Sequence, residues 1–133
     1  MGLYIKKVTV SPNTPMNNPF TETIELEGNI LEEIQYLFPT GLCQKVGVRI
    51  LYGEYQISPA NEGQWIDGHG EVVRDVLKLP LPEKKTVLRI QAYNLSEHFE
   101  HTVTLRFLVV DEKQYSPLND LVSLLKKLLG VRK

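Results

Sequence analysis

Apolar and polar residues alternate along most of this chain with a period of two, which is typical of strands that bury one face. Phe20, Ile24 and Leu26 share one parity, and the positions of opposite parity between and beside them hold Thr or Glu. The same alternation recurs in residues 46–52, 73–81, 87–93 and 103–109. Turn-forming residues separate these stretches. The sequence therefore predicts an all-β fold, an antiparallel β-sandwich or jelly roll of about seven or eight strands.

Two stretches depart from simple alternation. In the first, the apolar residues change parity between Ile5 and Val8, at Lys6-Lys7, which predicts a β-bulge there. The second, residues 30–38, fits either a short helix or one strand, and the neighbouring β signals favour a strand.

Residues 117–129 have the pattern of an amphipathic helix. Ser116 is a suitable N-cap, Pro117 fits the first helical turn, and Gly130 fits the C-terminal end. We expect one face of this helix to bind a partner through Leu118, Leu121, Val122, Leu125, Leu128 and Leu129. That face could instead pack on its own domain. A membrane-surface helix is the least favoured alternative, because the segment holds no aromatic residue.

The chain divides into two predicted parts. Residues 1–111 form the β-sandwich domain, within which residues 11–19, rich in Pro and Asn, form a loop or arm. Residues 112–133 form a linker and the C-terminal helix. The single cysteine, Cys43, excludes an internal disulfide.

Charge and hydropathy limit the classes of partner. A formal net charge of −1 supplies no overall electrostatic attraction to nucleic acid, so none is predicted as a partner. The N-terminal residues lack the apolar core of a signal peptide, which predicts cytoplasmic synthesis. The C-terminal helix is too short to cross a bilayer, and a membrane is not an expected partner.

Catalytic and metal signals are weak. His98 and His101 stand beside Glu97 and Glu100, but they lie in a predicted turn, where solvated side chains are the favoured interpretation. The sequence contains no phosphate-binding loop, and no motif marks Cys43 as a nucleophile. We therefore predict no enzyme activity, no metal site and no cofactor.

The glycine-rich loop around Trp65 is the best candidate for a ligand-binding surface. Trp65 can stack on a sugar ring, while Gln64 and Asp67 can bond the sugar hydroxyls. The favoured alternative is that Trp65 folds back and closes one end of the sandwich, because large aromatic side chains usually find burial.

Several segments of the chain resemble a known class of protein. They are residues 38–43 (FPTGLC), 46–50 (VGVRI), 53–59 (GEYQISP), 65–68 (WIDG), 92–94 (AYN) and 101–103 (HTV). Together they resemble small β-sandwich virion structural proteins of tailed phages and related viruses, of the head-decoration, neck or appendage type. The resemblance implies a non-enzymatic virion component that self-assembles or docks on a larger protein shell. It carries no functional residue over to this chain. The alternative function is a carbohydrate-binding module that uses the Trp65 loop.

Overall fold

The structure is a computed structural model that describes residues 2–41 and 45–111. All regular structure in these residues is β. The strands are β1 (Gly2–Val10), β2 (Phe20–Glu27), β3 (Ile30–Phe38), β4 (Val46–Tyr52), β5 (Tyr55–Ser58), β6 (Ile66–Asp67), β7 (Glu71–Pro80), β8 (Lys85–Asn94) and β9 (His101–Val110). The predicted helix over residues 117–129 and the single cysteine, Cys43, lie outside the described residues.

The described strands form two antiparallel sheets. The four-stranded sheet has the order β1-β9-β3-β7, and the five-stranded sheet has the order β2-β8-β4-β5, with β6 paired to β4. The predicted all-β, sandwich-like architecture is confirmed, with nine strands in the described residues rather than seven or eight. The additional strand is β6, a two-residue pairing inside a stretch that the sequence predicted to be a loop.

One hydrophobic core lies between the two sheets. Its residues share one parity on each long strand except β3, where a bulge changes the parity. Its largest fully buried side chains include Leu26, Ile34, Tyr36, Ile50, Leu88, Ile90, Leu105 and Phe107. These side chains come from β2, β3, β4, β8 and β9, so the core spans both sheets.

The bulge predicted in β1 is wrong. This strand pairs with β9 without a register shift along its whole length. Its even-numbered residues face inward, so the apolar Leu3 and Ile5 lie on the outer surface, 57% and 58% exposed.

The inward positions near the start of β1 hold the polar side chains of Tyr4 and Lys6. The apolar residues beside them had suggested the opposite orientation. The Tyr4 hydroxyl donates to the Glu27 carbonyl at 3.3 Å and accepts from the Glu27 N–H at 3.1 Å. Lys6 reaches a carboxylate of β2, with 3.3 Å between its Nζ and Oε1 of Glu22. A long amphipathic side chain can bury its stem while its polar end finds a partner. These contacts therefore tie the β1 and β2 edges of the two sheets together.

Residues 30–38 form a strand, as the neighbouring β signals favoured, and this strand carries a bulge. Leu31 lies opposite Val109 of β9, whereas Glu33 lies opposite the adjacent Leu108, so Glu32 is the inserted residue. The insertion shifts the parity, and both Leu31 and Ile34 are buried as a result.

A chain of three polar side chains, the buried Tyr36 and Ser58 and the half-buried Asp75, joins the opposite edges of the two sheets. Ser58 at the end of β5 donates through its hydroxyl to Oδ2 of Asp75 on β7 at 2.6 Å. The Tyr36 hydroxyl of β3 donates to Ser58, since a carboxylate leaves Ser58 free to accept. Burial raises the pKa of Tyr36 well above its ordinary value, so this hydroxyl stays neutral.

Asn13 and Thr14 tie the Pro- and Asn-rich residues 11–19 to the end of β8. The Thr14 N–H donates to the Asn94 carbonyl at 2.9 Å, and the Asn94 N–H donates back to Thr14 at 2.9 Å. The Asn13 side-chain amide adds a hydrogen bond to the Glu97 carbonyl at 3.0 Å.

In residues 2–41 and 45–111 we find no helical segment with the length and apolar character needed to cross a membrane.

Candidate functional site

The outer surface of the four-stranded sheet, here called the four-strand face, exposes apolar side chains near both of its edges. Along the β1 edge lies one strip formed by Leu3, Ile5 and Leu108, and along the β7 edge lies a second formed by Leu37, Val72 and Val76. Val72 and Val76 are 52% and 54% exposed, similar to Leu3 and Ile5. Grouped apolar side chains of this exposure are the usual signature of a contact surface.

A polar network crosses the four-strand face from Arg74 on β7, between Val72 and Val76, through β3 to Arg106 on β9. Arg74 binds Glu33 through two parallel hydrogen bonds of 2.9 and 2.8 Å, and the Gln35 amide donates to the same carboxylate at 2.6 Å. Arg106 donates to the Gln35 amide oxygen at 3.3 Å. Hydrogen bonds from Arg74, and then from Gln35, hold the pKa of the Glu33 carboxyl below its ordinary value of 4.5. The network is thus satisfied internally, which leaves the two apolar strips as the exposed feature.

The outer surface of the five-stranded sheet, here called the five-strand face, carries the Trp65 loop. The buried Gln56 side chain shapes this loop. Its Nε2 donates to the carbonyls of Pro59, Asn61 and Gln64 at 2.9, 3.2 and 3.2 Å. Its Oε1 accepts from the Gly63 N–H at 3.2 Å. One strand side chain therefore fixes the loop that leads into Trp65.

Trp65 is half-buried and packs on the outside of the sheet. Its ring meets the Tyr93 ring edge to face, with 4.9 Å between the ring centroids and 83° between the planes. The Arg49 guanidinium lies over the indole, 4.3 Å from its centroid. The prediction that Trp65 would close one end of the sandwich is therefore wrong, because Tyr93 offers it an apolar support on the sheet surface.

Gly47 makes room for Tyr93. A Cβ built at Gly47 would lie 2.6 Å from Cζ of Tyr93 and 2.7 Å from its hydroxyl oxygen. Burial raises the pKa of the Tyr93 hydroxyl, and the nearby Asp67 charge adds to this effect.

We expect Gly47→Ala to displace Tyr93 and the indole that rests on it. Overpacking of this kind should lower the free energy of unfolding by about 1 to 3 kcal/mol. It should also shift the emission of Trp65, the single tryptophan of the chain, toward that of a solvated indole. Urea denaturation followed by fluorescence measures both effects. Gly53→Ala is not a matched control, because Gly53 has a positive φ of 59°. Thr23→Ala, an exposed change on the same face, should alter neither quantity.

The structure places the three predicted ligand-binding residues in one region but gives them different roles. The Gln64 side chain is exposed, while its backbone carbonyl accepts from Gln56. Asp67 is exposed in β6, paired with Gly47 of β4. Trp65 stands between them.

Sequence reasoning missed two arginines of the five-strand face. Arg49 and Arg89 line a shallow pocket of about 280 Å³ together with Leu51, Glu54, Gln56, Glu62, Gly63 and Gln91. The two arginines belong to different strands, and only the pairing of β4 with β8 brings them together.

The remaining sequence predictions concern the histidines and the C-terminal leucines. His98 is exposed, and its Nε2 lies 3.9 Å from the Glu97 carboxylate. Among residues 2–41 and 45–111, no group of three or more His, Cys, Asp or Glu is placed to hold a metal ion. The predicted partner-binding residues Leu118, Leu121, Val122, Leu125, Leu128 and Leu129 lie outside the described residues.

No protein-family model matches the chain, and no curated protein is significantly similar to it.

Proposed function

We propose that this protein is a non-enzymatic assembly component whose four-strand face binds the C-terminal segment of a second copy of the chain. The observation that carries the proposal is the exposure of Leu3, Ile5, Val72 and Val76 on one face, each by more than half. Such a surface costs solvation free energy until a partner covers it, at about 25 cal/mol for each Å² of apolar area removed from water.

The C-terminal segment has the dimensions and composition of a suitable partner. A helix over residues 117–129 would be about 20 Å long at 1.5 Å per residue, close to the extent of a four-stranded sheet. Its face would present Leu118, Leu121, Val122, Leu125, Leu128 and Leu129. Leucines on one helix face and valines or leucines on a sheet complement each other as apolar surfaces.

The spacing of the two strips fits a single helix from a second copy. The outer strands β1 and β7 are three strand spacings apart, about 14 Å. A helix of about 20 Å that lies across the strands is therefore long enough to contact both strips.

The resemblance to virion structural proteins extends this proposal to its setting. A rigid β-sandwich that joins neighbouring copies through a terminal helix suits a component of a larger protein shell, such as a virion. A virion or similar particle is the proposed place of action.

Leu125→Asp tests the proposal. A charge in the centre of the leucine face should cost about 2 to 4 kcal/mol of association free energy, as at other interface centres. We expect light scattering to show oligomers of the unmodified chain and monomers of the variant, with the same thermal unfolding midpoint for the monomer.

The control is Ser123→Asp, which adds the same charge away from the leucine face and should leave the oligomer intact. The opposite result would be a monomeric unmodified chain whose unfolding midpoint falls in Leu125→Asp. The leucines would then belong to the core of their own domain.

A second candidate function is carbohydrate binding at the Trp65 loop. It is supported by the half-buried indole on the five-strand face, with the exposed Gln64 and Asp67 on either side in sequence. Aromatic rings beside amides and carboxylates are common in sugar-binding sites.

A further inference from the structure

Within the described residues, the side chains of Arg49 and Arg89 donate hydrogen bonds to uncharged acceptors. The Arg49 Nε donates to the Gln91 amide oxygen at 2.8 Å, and its guanidinium rests on Trp65. Arg89 donates from Nη1 to the Gly53 carbonyl at 2.8 Å. Within residues 2–41 and 45–111, neither guanidinium has a carboxylate at ion-pair distance.

Arg74 on the four-strand face differs from these two arginines, because it pairs with a carboxylate. It binds the Glu33 carboxylate with two hydrogen bonds, and these bonds raise the pKa of its guanidinium. Arg49 shows the reverse, because partial burial and then the charge of Arg89 lower the pKa of its guanidinium. Two like charges held close together, one of them partly desolvated, attract an anion that can accept from both.

The rim of the pocket narrows the choice of anion. Glu54 and Glu62 line the same pocket as the two arginines. Their carboxylates repel a polyanion such as a nucleic acid backbone, whereas they accept hydrogen bonds from hydroxyl groups. A ligand that suits both halves of the pocket carries a single negative charge beside several hydroxyls.

We propose that the pocket binds an acidic sugar, a pyranose ring that carries one carboxylate. The carboxylate lies between Arg49 and Arg89, the hydroxyls face Glu54 and Glu62, and Trp65 lies beside the pocket, where its ring contacts Arg49. This inference deepens the second candidate function and rests on it, and it is independent of assembly through the four-strand face.

Fluorescence titration of Trp65 tests the inference directly, because this indole is the single tryptophan and touches Arg49. The probes are a glucuronic-acid-containing oligosaccharide, the matching glucose oligosaccharide and sodium acetate. We expect a saturable change with the acidic oligosaccharide, and binding at least about tenfold weaker for the neutral oligosaccharide and for acetate, because each of these two probes lacks half of the recognised chemistry.

Variants of the arginines separate charge recognition from the fold of the loop. Arg49→Gln and Arg89→Gln should each weaken binding of the acidic oligosaccharide by about tenfold or more, measured by isothermal titration calorimetry. Arg106→Gln, on the four-strand face, is the matched control and should bind as the unmodified chain does. Calorimetry is used here because loss of Arg49 changes the surroundings of the reporter indole.

Each contrary outcome has a distinct meaning. Equal binding of the neutral and acidic oligosaccharides would overturn the acidic specificity and leave the carbohydrate-binding candidate standing. Acetate binding as tightly as the acidic oligosaccharide would mean that the arginines attract any anion, which also overturns the inference. The absence of a saturable response to either oligosaccharide would overturn both the inference and the candidate function on which it rests.

Discussion

We expect the double substitution Ile5→Asp and Val76→Asp to dissociate the proposed assembly. Each places a charge in a different apolar strip of the four-strand face, at side chains that are 58% and 54% exposed. Burying an unpaired carboxylate against leucines opposes association, and two such sites should together cost about 4 kcal/mol, roughly a thousandfold in the dissociation constant. Sedimentation equilibrium over a range of concentrations measures this change.

The same substitution should leave the fold of the sandwich intact. Exposed positions outside special backbone conformations usually change the free energy of unfolding by no more than about 0.5 kcal/mol each. Val87→Asp is the matched control, because Val87 is 49% exposed on the five-strand face. If Val87→Asp dissociates the proposed assembly and the double variant does not, the contact surface lies on the five-strand face rather than on the four-strand face.

Ser58→Ala should give the largest loss of stability of any single change considered for the core. It removes the hydroxyl that accepts from Tyr36 and donates to Asp75, and the Tyr36 hydroxyl is fully buried. A buried polar group left without its partner costs about 1 to 3 kcal/mol, and two groups lose a partner here. We expect the free energy of unfolding to fall by about 2 to 4 kcal/mol in urea denaturation.

Tyr36→Phe provides the comparison for this prediction. It removes one hydroxyl but leaves the bond between Ser58 and Asp75 in place, so it should cost only about 1 kcal/mol. A larger loss in Tyr36→Phe than in Ser58→Ala would contradict the prediction, because Phe keeps the ring and removes one hydrogen bond, whereas Ser58→Ala removes two.

The strands that follow a strict alternation were predictable from sequence. In β2, Ile24 and Leu26 face inward and the Thr and Glu residues of opposite parity face out, because a half-buried strand can satisfy only that arrangement. The strand β1 was misread because apolarity alone was taken to mark the inward face. Tyr4 and Lys6 occupy that face through contacts with β2, and such contacts depend on a strand that is distant in sequence.

The two candidate surfaces could not be predicted from the sequence, because they depend on which strands pair and in which register. No local pattern shows that Leu3 lies beside Leu108, or that Val72 lies beside Leu37, because these neighbours are set by register between distant strands. The same holds for Arg49 and Arg89, which stand on β4 and β8. The unusual composition around Trp65 pointed to this loop as a candidate surface, whereas its position on the five-strand face, the support from Tyr93 and the space at Gly47 could not be inferred from it.

The most direct measurement of the central claim is a mixing experiment with two defective variants. The first is the double variant Ile5→Asp and Val76→Asp, which keeps an intact C-terminal segment. The second is Leu125→Asp, which keeps an intact four-strand face. Each alone should be monomeric by native mass spectrometry, and their mixture should form a complex that contains one copy of each. If the mixture stays monomeric while the unmodified chain assembles, the C-terminal segment of one copy does not bind the four-strand face of another.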